Sequence, residues 1–352
     1  MSTALDRIGQ LWRNPEYPLR QRAMIEAAPE FFLSPSSFEL AMDSIFAHWT
    51  EENIQKLSQK VPSPPLKKGE ITVQILAGTT PAMIAQGFLQ GALLGAQLDA
   101  VQYLKLPRQQ TLFAYLLYQS FQENAPELAA LFILDNGQKL NQFYTVLAKA
   151  QLVIIYGNDE TIATIHSYVT PETLFFAHGH AESAAIIFQE AANLDSLKKL
   201  AYDMLSYDQR GCLSPRAVFV EEGGELSPEE CAQQFAEIVL PHVALQLPRG
   251  GLLEGEAAEI LHQRMLYGFR GKVYSGLDWT VTYEPNLIWP LKIALPRFMP
   301  FQPFKDTQDL ILMLHSLISI GYAGPSKKIA LLKNAAKYFC VLGEMQKQCL
   351  FF

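Results

Sequence analysis

Between residues 71 and 179 short apolar runs alternate with helix-length segments, and this alternation limits the possible folds more than any other feature of the chain. ITVQILA (71–77), VQYLKLP (101–107), ALFIL (130–134), LVIIY (152–156) and TLFFAHG (173–179) read as strands. The segments 82–97, 109–124 and 137–149, and a further one opening at GNDET (157–161), read as helices. Pro81 stands where the first helical position tolerates a proline, and Asn158 or Asp159 can cap the fourth helix. Strands joined through helices of this length cannot form hairpins, so the pattern predicts βαβ units and a parallel sheet. Ligands of such sheets bind beyond the carboxyl ends of the strands. Four candidates fall there: Gly78 to Pro81, Lys105 to Pro107, Gly157 to Glu160, and His178 to His180. No GxGxxG or Walker sequence accompanies them.

The flanks differ. Residues 1–60 carry apolar positions at helical spacing (Phe38, Met42, Ile45, Phe46, Trp49), and VPSPPLKKGE (61–70) reads as a connector. After a helix over 194–206 comes YDQRGCLSPRAVFVEE (207–222), which places Cys212 in a Gly- and Pro-bounded turn ahead of the apolar run 217–221. Ser227-Pro228-Glu229-Glu230 is a capping signature for a helix reaching Leu245. Further helices are expected over 254–267 and 305–320, and strands over 279–284 and 291–296.

A net charge of −7 without a Lys/Arg cluster excludes a general nucleic-acid binder. The N-terminus lacks the apolar stretch of a secretory signal. Residues 75–98 and 310–324 are apolar but interrupted by Gly, Pro, Gln, His and Ser, so buried helices are expected and no membrane span. Cysteines at 212, 231, 340 and 349 have no CxxC spacing, which fits a reducing cytoplasm. His178 and His180 lack a third ligand at metal spacing, so no metal site is expected.

A thiolate is an intrinsic nucleophile, and a turn or helix start can lower its pKa, so Cys212 can carry an acyl group as a thioester; it can equally be a small buried hydrophobe. Lys105 ends a buried strand and needs an anionic partner, whether a phosphate or a carboxylate. Gly157 and Asn158 can present N–H groups to a pyrophosphate or can simply start a helix. Asp208 and Gln209 either orient the cysteine turn or satisfy its backbone.

In this order the segments resemble those of the LuxC-type acyl-CoA reductases, a branch of the aldehyde dehydrogenase superfamily. LAGTTP (76–81) resembles the family's AGN-x-P turn, LLGAQLDAVQYLKLP (93–107) its GxxLLG…KLP element, and YGNDETI (156–162) its FGSDETI segment. FFAHGHAESAAII (175–187) resembles the GHG-x-x-S region, and YDQRGCLSPRAVFVEE the FDQ-x-C-x-SP segment around the nucleophile. DWTVTYE (278–284) and CVLGEMQK (340–347) resemble later blocks, so the likeness spans about 71–347.

The resemblance implies an aldehyde dehydrogenase-like α/β fold. A Rossmann-type parallel-sheet cofactor domain would occupy 1–206, and a second α/β catalytic domain 207–324. Residues 325–352 would return to the first. It implies NADPH-dependent reduction of a fatty acyl-CoA, or another acyl thioester, to the aldehyde through acyl-Cys212, with NADH as the other possible cofactor. Lys105 and Pro107 would hold the adenosine ribose or its phosphate, while Gly157, Asn158 and Gly179 would lie along the dinucleotide. Thr79 stands where the family's oxyanion Asn is expected. No ELGG-type segment between 180 and 212 supplies a water-activating Glu, which suits the reductive direction. The implied partners are an acyl-CoA or acyl-protein donor, and a second copy of the chain. A cysteine acyltransferase or thioesterase, and a catalytically silent subunit, are the competing readings.

Overall fold

The structure, a computed structural model, describes residues 1–60, 70–138, 140–179, 182–291 and 294–347. Most of the connector expected at 61–70, and His180, lie outside them. The chain divides into two compact units. Among the described residues, one comprises 1–31 and 38–179, the other 32–37 and 182–347.

The first unit is built on a parallel sheet of β1 (Ile71–Ile75), β2 (Val101–Lys105), β3 (Phe132–Asp135), β4 (Ala150–Tyr156) and β5 (Leu174–His178), in the order β3-β2-β1-β4-β5. The order reverses between β1 and β4, the switch point at which open α/β sheets bind ligands. The helix Pro81–Leu98 buries almost its whole circumference, which explains its apolar composition. A Cβ on Gly87 would meet Leu76 at 2.6 Å and one on Gly91 would meet Phe132 at 2.6 Å, so these glycines let the helix approach the sheet closely. Phe88, Phe121 and Phe132 interlock at centroid separations of 5.2–5.6 Å. The N-terminal helices cover the helix Leu112–Asn124 through Trp12, Phe46 and Trp49.

The second unit holds a seven-stranded sheet of β6 (Ser183–Ile187), β7 (Pro215–Glu221), β8 (Lys272–Ser275), β9 (Thr280–Tyr283), β10 (Phe298–Phe304), β11 (Leu317–Ala323) and β12 (Ala336–Val341). Its order is β12-β11-β6-β7-β10-β9-β8, parallel except for the β8–β9 pair. Ala184, Ile186, Ala217, Phe219, Phe304 and Ile320 form the core of one face.

Several expectations are corrected here. The units divide at 180/181 rather than 206/207, because β6 is an interior strand of the second sheet and carries the helix Leu194–Leu205 with it. Residues 325–347 do not return to the first unit, since β12 pairs in parallel with β11. The strand expected over 291–296 falls partly outside the described residues, and the pairing strand there is β10, from Phe298. Pro300 and Pro303 conceal it, because proline lacks the ladder N–H and normally argues against a central strand. The helix expected over 305–320 is a helix Thr307–Met313 followed by β11, with Ser316 at φ +59° between them.

Candidate active site

Cys212 sits where the helix Leu194–Leu205 hands over to β7, and that hand-over is made by two consecutive non-glycine residues in left-handed backbone. Asp208 has φ +50° and Gln209 φ +59°, conformations that cost about 1 kcal/mol or more each in L-residues. Their N–H groups bond the Leu205 and Met204 carbonyls, closing the helix end in the manner of a left-handed cap. Side chains then hold them there. Asp208, fully buried, accepts the Arg297 Nε–H at 2.6 Å on one oxygen and the Gly250 N–H at 2.9 Å on the other. Gln209 Nε2 donates to the Pro215 and Phe298 carbonyls at 2.8 and 2.9 Å, and Arg216 donates to the Gln209 carbonyl at 2.9 Å. Asp208 and Gln209 therefore orient the turn and satisfy its backbone at once.

The turn itself closes through the Ser214 N–H on the Gly211 carbonyl at 3.0 Å. Ser183, at the start of β6, donates its hydroxyl to the Cys212 carbonyl at 2.7 Å. Arg210 makes a bidentate pair with Glu256 at 2.8 Å and donates to the Gly251 carbonyl, which ties the turn to the helix Glu256–Gly268. Four separate chain segments thus fix the residues on either side of one thiol.

The electrostatics of that thiol are balanced against ionisation. Burial pushes Cys212 above the ordinary thiol pKa, while its own N–H, the Arg216 cation and the Leu213 N–H all favour the thiolate. Burial likewise lowers Arg216, with Glu182 opposing. Burial thus favours the protonated thiol, while the two backbone N–H groups and the charge of Arg216 act on it in the opposite direction. An arrangement of this kind stabilises negative charge that appears only during reaction.

The first unit gathers its candidates at the carboxyl ends of its strands. Thr79 is exposed in the turn after β1, and Thr80 caps the helix Pro81–Leu98 without a side-chain bond. Gly78 lies against Pro107, where a Cβ would approach to 2.8 Å. Asn158 accepts the Thr161 N–H at 2.8 Å, so its side chain serves as the N-cap of the helix Asp159–His166. Gly157 donates to the His178 carbonyl at 3.2 Å and Gly179 packs near Asp159. Lys105 Nζ bonds the Leu106 carbonyl at 3.1 Å; burial lowers its pKa, Asp135 opposes that, and Arg108 adds to it. Gly137, with φ +82°, leaves room for that ammonium, since a Cβ there would come within 2.6 Å of Nζ. Asp135 accepts the Gly137 N–H at 2.7 Å on one oxygen, while its other oxygen is buried; burial and then the Asp135 carboxylate beside it raise the pKa of the Tyr103 hydroxyl.

A carboxylate beside a half-buried ammonium at the end of a parallel strand fits the hydroxyl and phosphate groups of a nucleotide ribose. Asp135 was not singled out from the sequence; its only signal there is its position ending the third strand. Thr79, Lys105, Pro107, Gly157, Asn158 and Gly179 belong to the first unit and Cys212 to the second. No group of three His, Cys, Asp or Glu suited to a metal occurs among the described residues, and no helix among them is long and apolar enough to cross a membrane.

Comparison with known proteins agrees with this architecture. The family model for acyl-CoA reductase (LuxC) matches residues 39–348. A search of curated proteins by sequence finds no match. Among solved structures, the aldehyde dehydrogenase KauB from Pseudomonas aeruginosa superposes with TM-score 0.71 at 13% identity, covering 97% of this chain and 75% of that one. Succinic semialdehyde dehydrogenase from Streptococcus pyogenes, solved with NADP+ as the cofactor, gives TM-score 0.71 at 13% identity over 97% and 80% of the two chains. An NAD-dependent benzaldehyde dehydrogenase from Corynebacterium glutamicum gives 0.72 at 10% identity over 98% and 82%. At these identities the likeness is one of fold.

Proposed function

The chain belongs to the acyl-CoA reductase (LuxC) family, whose reaction is reduction of an acyl-CoA to an aldehyde, and from that premise we propose that Cys212 carries the acyl group between the two halves of the reaction. The observation that supports this most is the thiol held in a turn braced by Ser183 on the Cys212 carbonyl and by the Ser214 N–H on Gly211, with the N–H groups of Cys212 and Leu213 and the Arg216 charge favouring its thiolate. In the first half the Cys212 sulfur bonds the thioester carbonyl carbon, the carbon–sulfur bond to CoA breaks, and the thiol proton leaves with CoA as its free thiol. The N–H groups and Arg216 stabilise the charge that builds up as the sulfur attacks, a contribution of several kcal/mol in comparable sites. When bound, a nicotinamide cofactor would supply the hydride for the second half; the carbon–sulfur bond to Cys212 then breaks, the sulfur takes a proton from water, and the aldehyde is released. Thr79 would offer its hydroxyl where relatives are expected to use an Asn amide.

Lys105 and Asp135 would hold the adenosine ribose, with Pro107, Gly157, Asn158 and Gly179 lining the dinucleotide. Arg108, close enough to act on the Lys105 ammonium, adds a second cation and favours the phosphate-bearing cofactor NADPH over NADH. Cys212 and Cys231 carry free thiols, which suits work in a reducing cytoplasm.

Addition of an acyl-CoA to the protein with NADPH tests the proposal. NADPH oxidation is expected in step with CoA release and aldehyde formation, and Cys212→Ala is expected to remove all three. CoA release without NADPH oxidation would identify a thioesterase or acyltransferase, and undiminished oxidation by Cys212→Ala would refute the acyl-cysteine route. Equilibrium binding of NADPH and NADH, followed by cofactor fluorescence, separates the two cofactors.

A further inference from the structure

β12 lies at the edge of its sheet, three positions from β7, yet the chain leaving it returns to the turn that precedes β7. Gly343, at φ +87°, makes the left-handed bend that starts the return, a conformation open chiefly to glycine. The bend docks on Asp203, in the last turn of the helix Leu194–Leu205 and only 1% exposed. One Asp203 oxygen accepts the Gly343 N–H at 2.6 Å and the other the Met345 N–H at 3.0 Å. Gln346 then bridges two elements, since its Nε2 donates to the Asp203 carbonyl at 3.0 Å and to Ser214 Oγ at 3.0 Å. Ser214 is fully buried, and its N–H closes the turn on Gly211. A bond to its hydroxyl therefore acts on the four residues that contain Cys212.

We propose that Gln346 is a positioning residue for Cys212: by holding Ser214 it keeps the Cys212 and Leu213 N–H groups aimed at the sulfur and at the charge that forms beside it. This role rests on Cys212 being the nucleophile. The thiol is poised between burial, which opposes the thiolate, and those two N–H groups, which favour it. A small loss of aim in the turn thus moves the balance towards the unreactive thiol. The side-chain bonds of Gln346 go to the Asp203 carbonyl and to Ser214, so its effect on the thiol passes through Ser214. Were it only an anchor for residues 342–347, its loss would lower stability and leave the thiol unchanged.

Alkylation of Cys212 by iodoacetamide in the intact protein, followed by peptide mass over pH about 6 to 10, reads the thiolate directly. Gln346→Ala is expected to slow alkylation near neutral pH by about fivefold and to move the midpoint of the profile upward, the size expected for one lost hydrogen bond. Ser214→Ala should do the same from the other side of the bond, with the double variant about as slow as either single one. Gln346→Leu keeps the bulk but has no group to bond the Ser214 hydroxyl, and should behave like the alanine variant. A profile that coincides with that of the unaltered protein in any of these variants that folds overturns the proposal, even where the melting temperature has dropped. Acyl-dependent NADPH oxidation is measured separately. A slower thiol in a protein that never oxidises NADPH would uphold the role of Gln346 and refute the reduction.

Discussion

Asp208 is buried against Arg297, with both side chains fully excluded from solvent. Replacing Asp208 with Ala leaves that guanidinium without its counter-charge and is expected to destabilise the protein by about 3–5 kcal/mol, read from denaturant midpoints. Asp203 makes a different prediction, because it has no cationic partner at bonding distance among the described residues. Burial is the main cause that raises its pKa to about 7, against the two N–H bonds from Gly343 and Met345, with Glu344 adding to the rise and Lys347 opposing it. The native state then holds a proton on Asp203 over a range where the unfolded chain has lost it. That contribution to stability is fully present near pH 4 and falls as pH rises to about 7, by at most ~1.4 kcal/mol per pH unit. Asp203→Asn cannot ionise. Its melting temperature relative to the unaltered protein should therefore climb between pH about 4 and 7 and level off above, and a constant difference would show that Asp203 does not titrate in that window.

At the scale of elements, the helix Pro81–Leu98 depends on small residues facing the sheet. Gly91→Leu would drive a side chain into Phe132 and Gln74 and is expected to cost about 1–3 kcal/mol through overpacking, measured by thermal or denaturant unfolding. Elements of the first sheet were legible because a parallel strand covered on both faces reads as an unbroken apolar run, and the helix starts at Asn158 in the first unit and Ser227 in the second carry local capping signals that the structure reproduces. The second sheet was less legible where local rules conflict with burial. β10 contains two prolines, β6 is hidden in Ala and Ser, and β11 follows its helix after only a short break. The cysteine turn was visible as a sequence motif, but its supports were not. Arg297 is 89 residues from Asp208 and Gln346 is 132 from Ser214, distances over which periodicity and capping patterns carry no information.

For the whole molecule, each compact unit has its own sheet and core, and the two candidate chemistries divide between them: nucleotide groups in the first, the thiol in the second. NADPH should slow amide hydrogen exchange most in residues 76–80, 105–108 and 157–159, where the first sheet ends, and uniform protection across the chain would argue against binding at the switch point. Residues 343–346 have a further consequence, which concerns synthesis rather than catalysis. A ribosome must add 132 more residues after Ser214 before Gln346 exists to hold it. Until then Asp203 has no N–H partners from Gly343 and Met345, and the thiol waits in an unfinished turn. A growing chain would thus acquire its organised cysteine only after residue 346 has been added, long after the thiol itself.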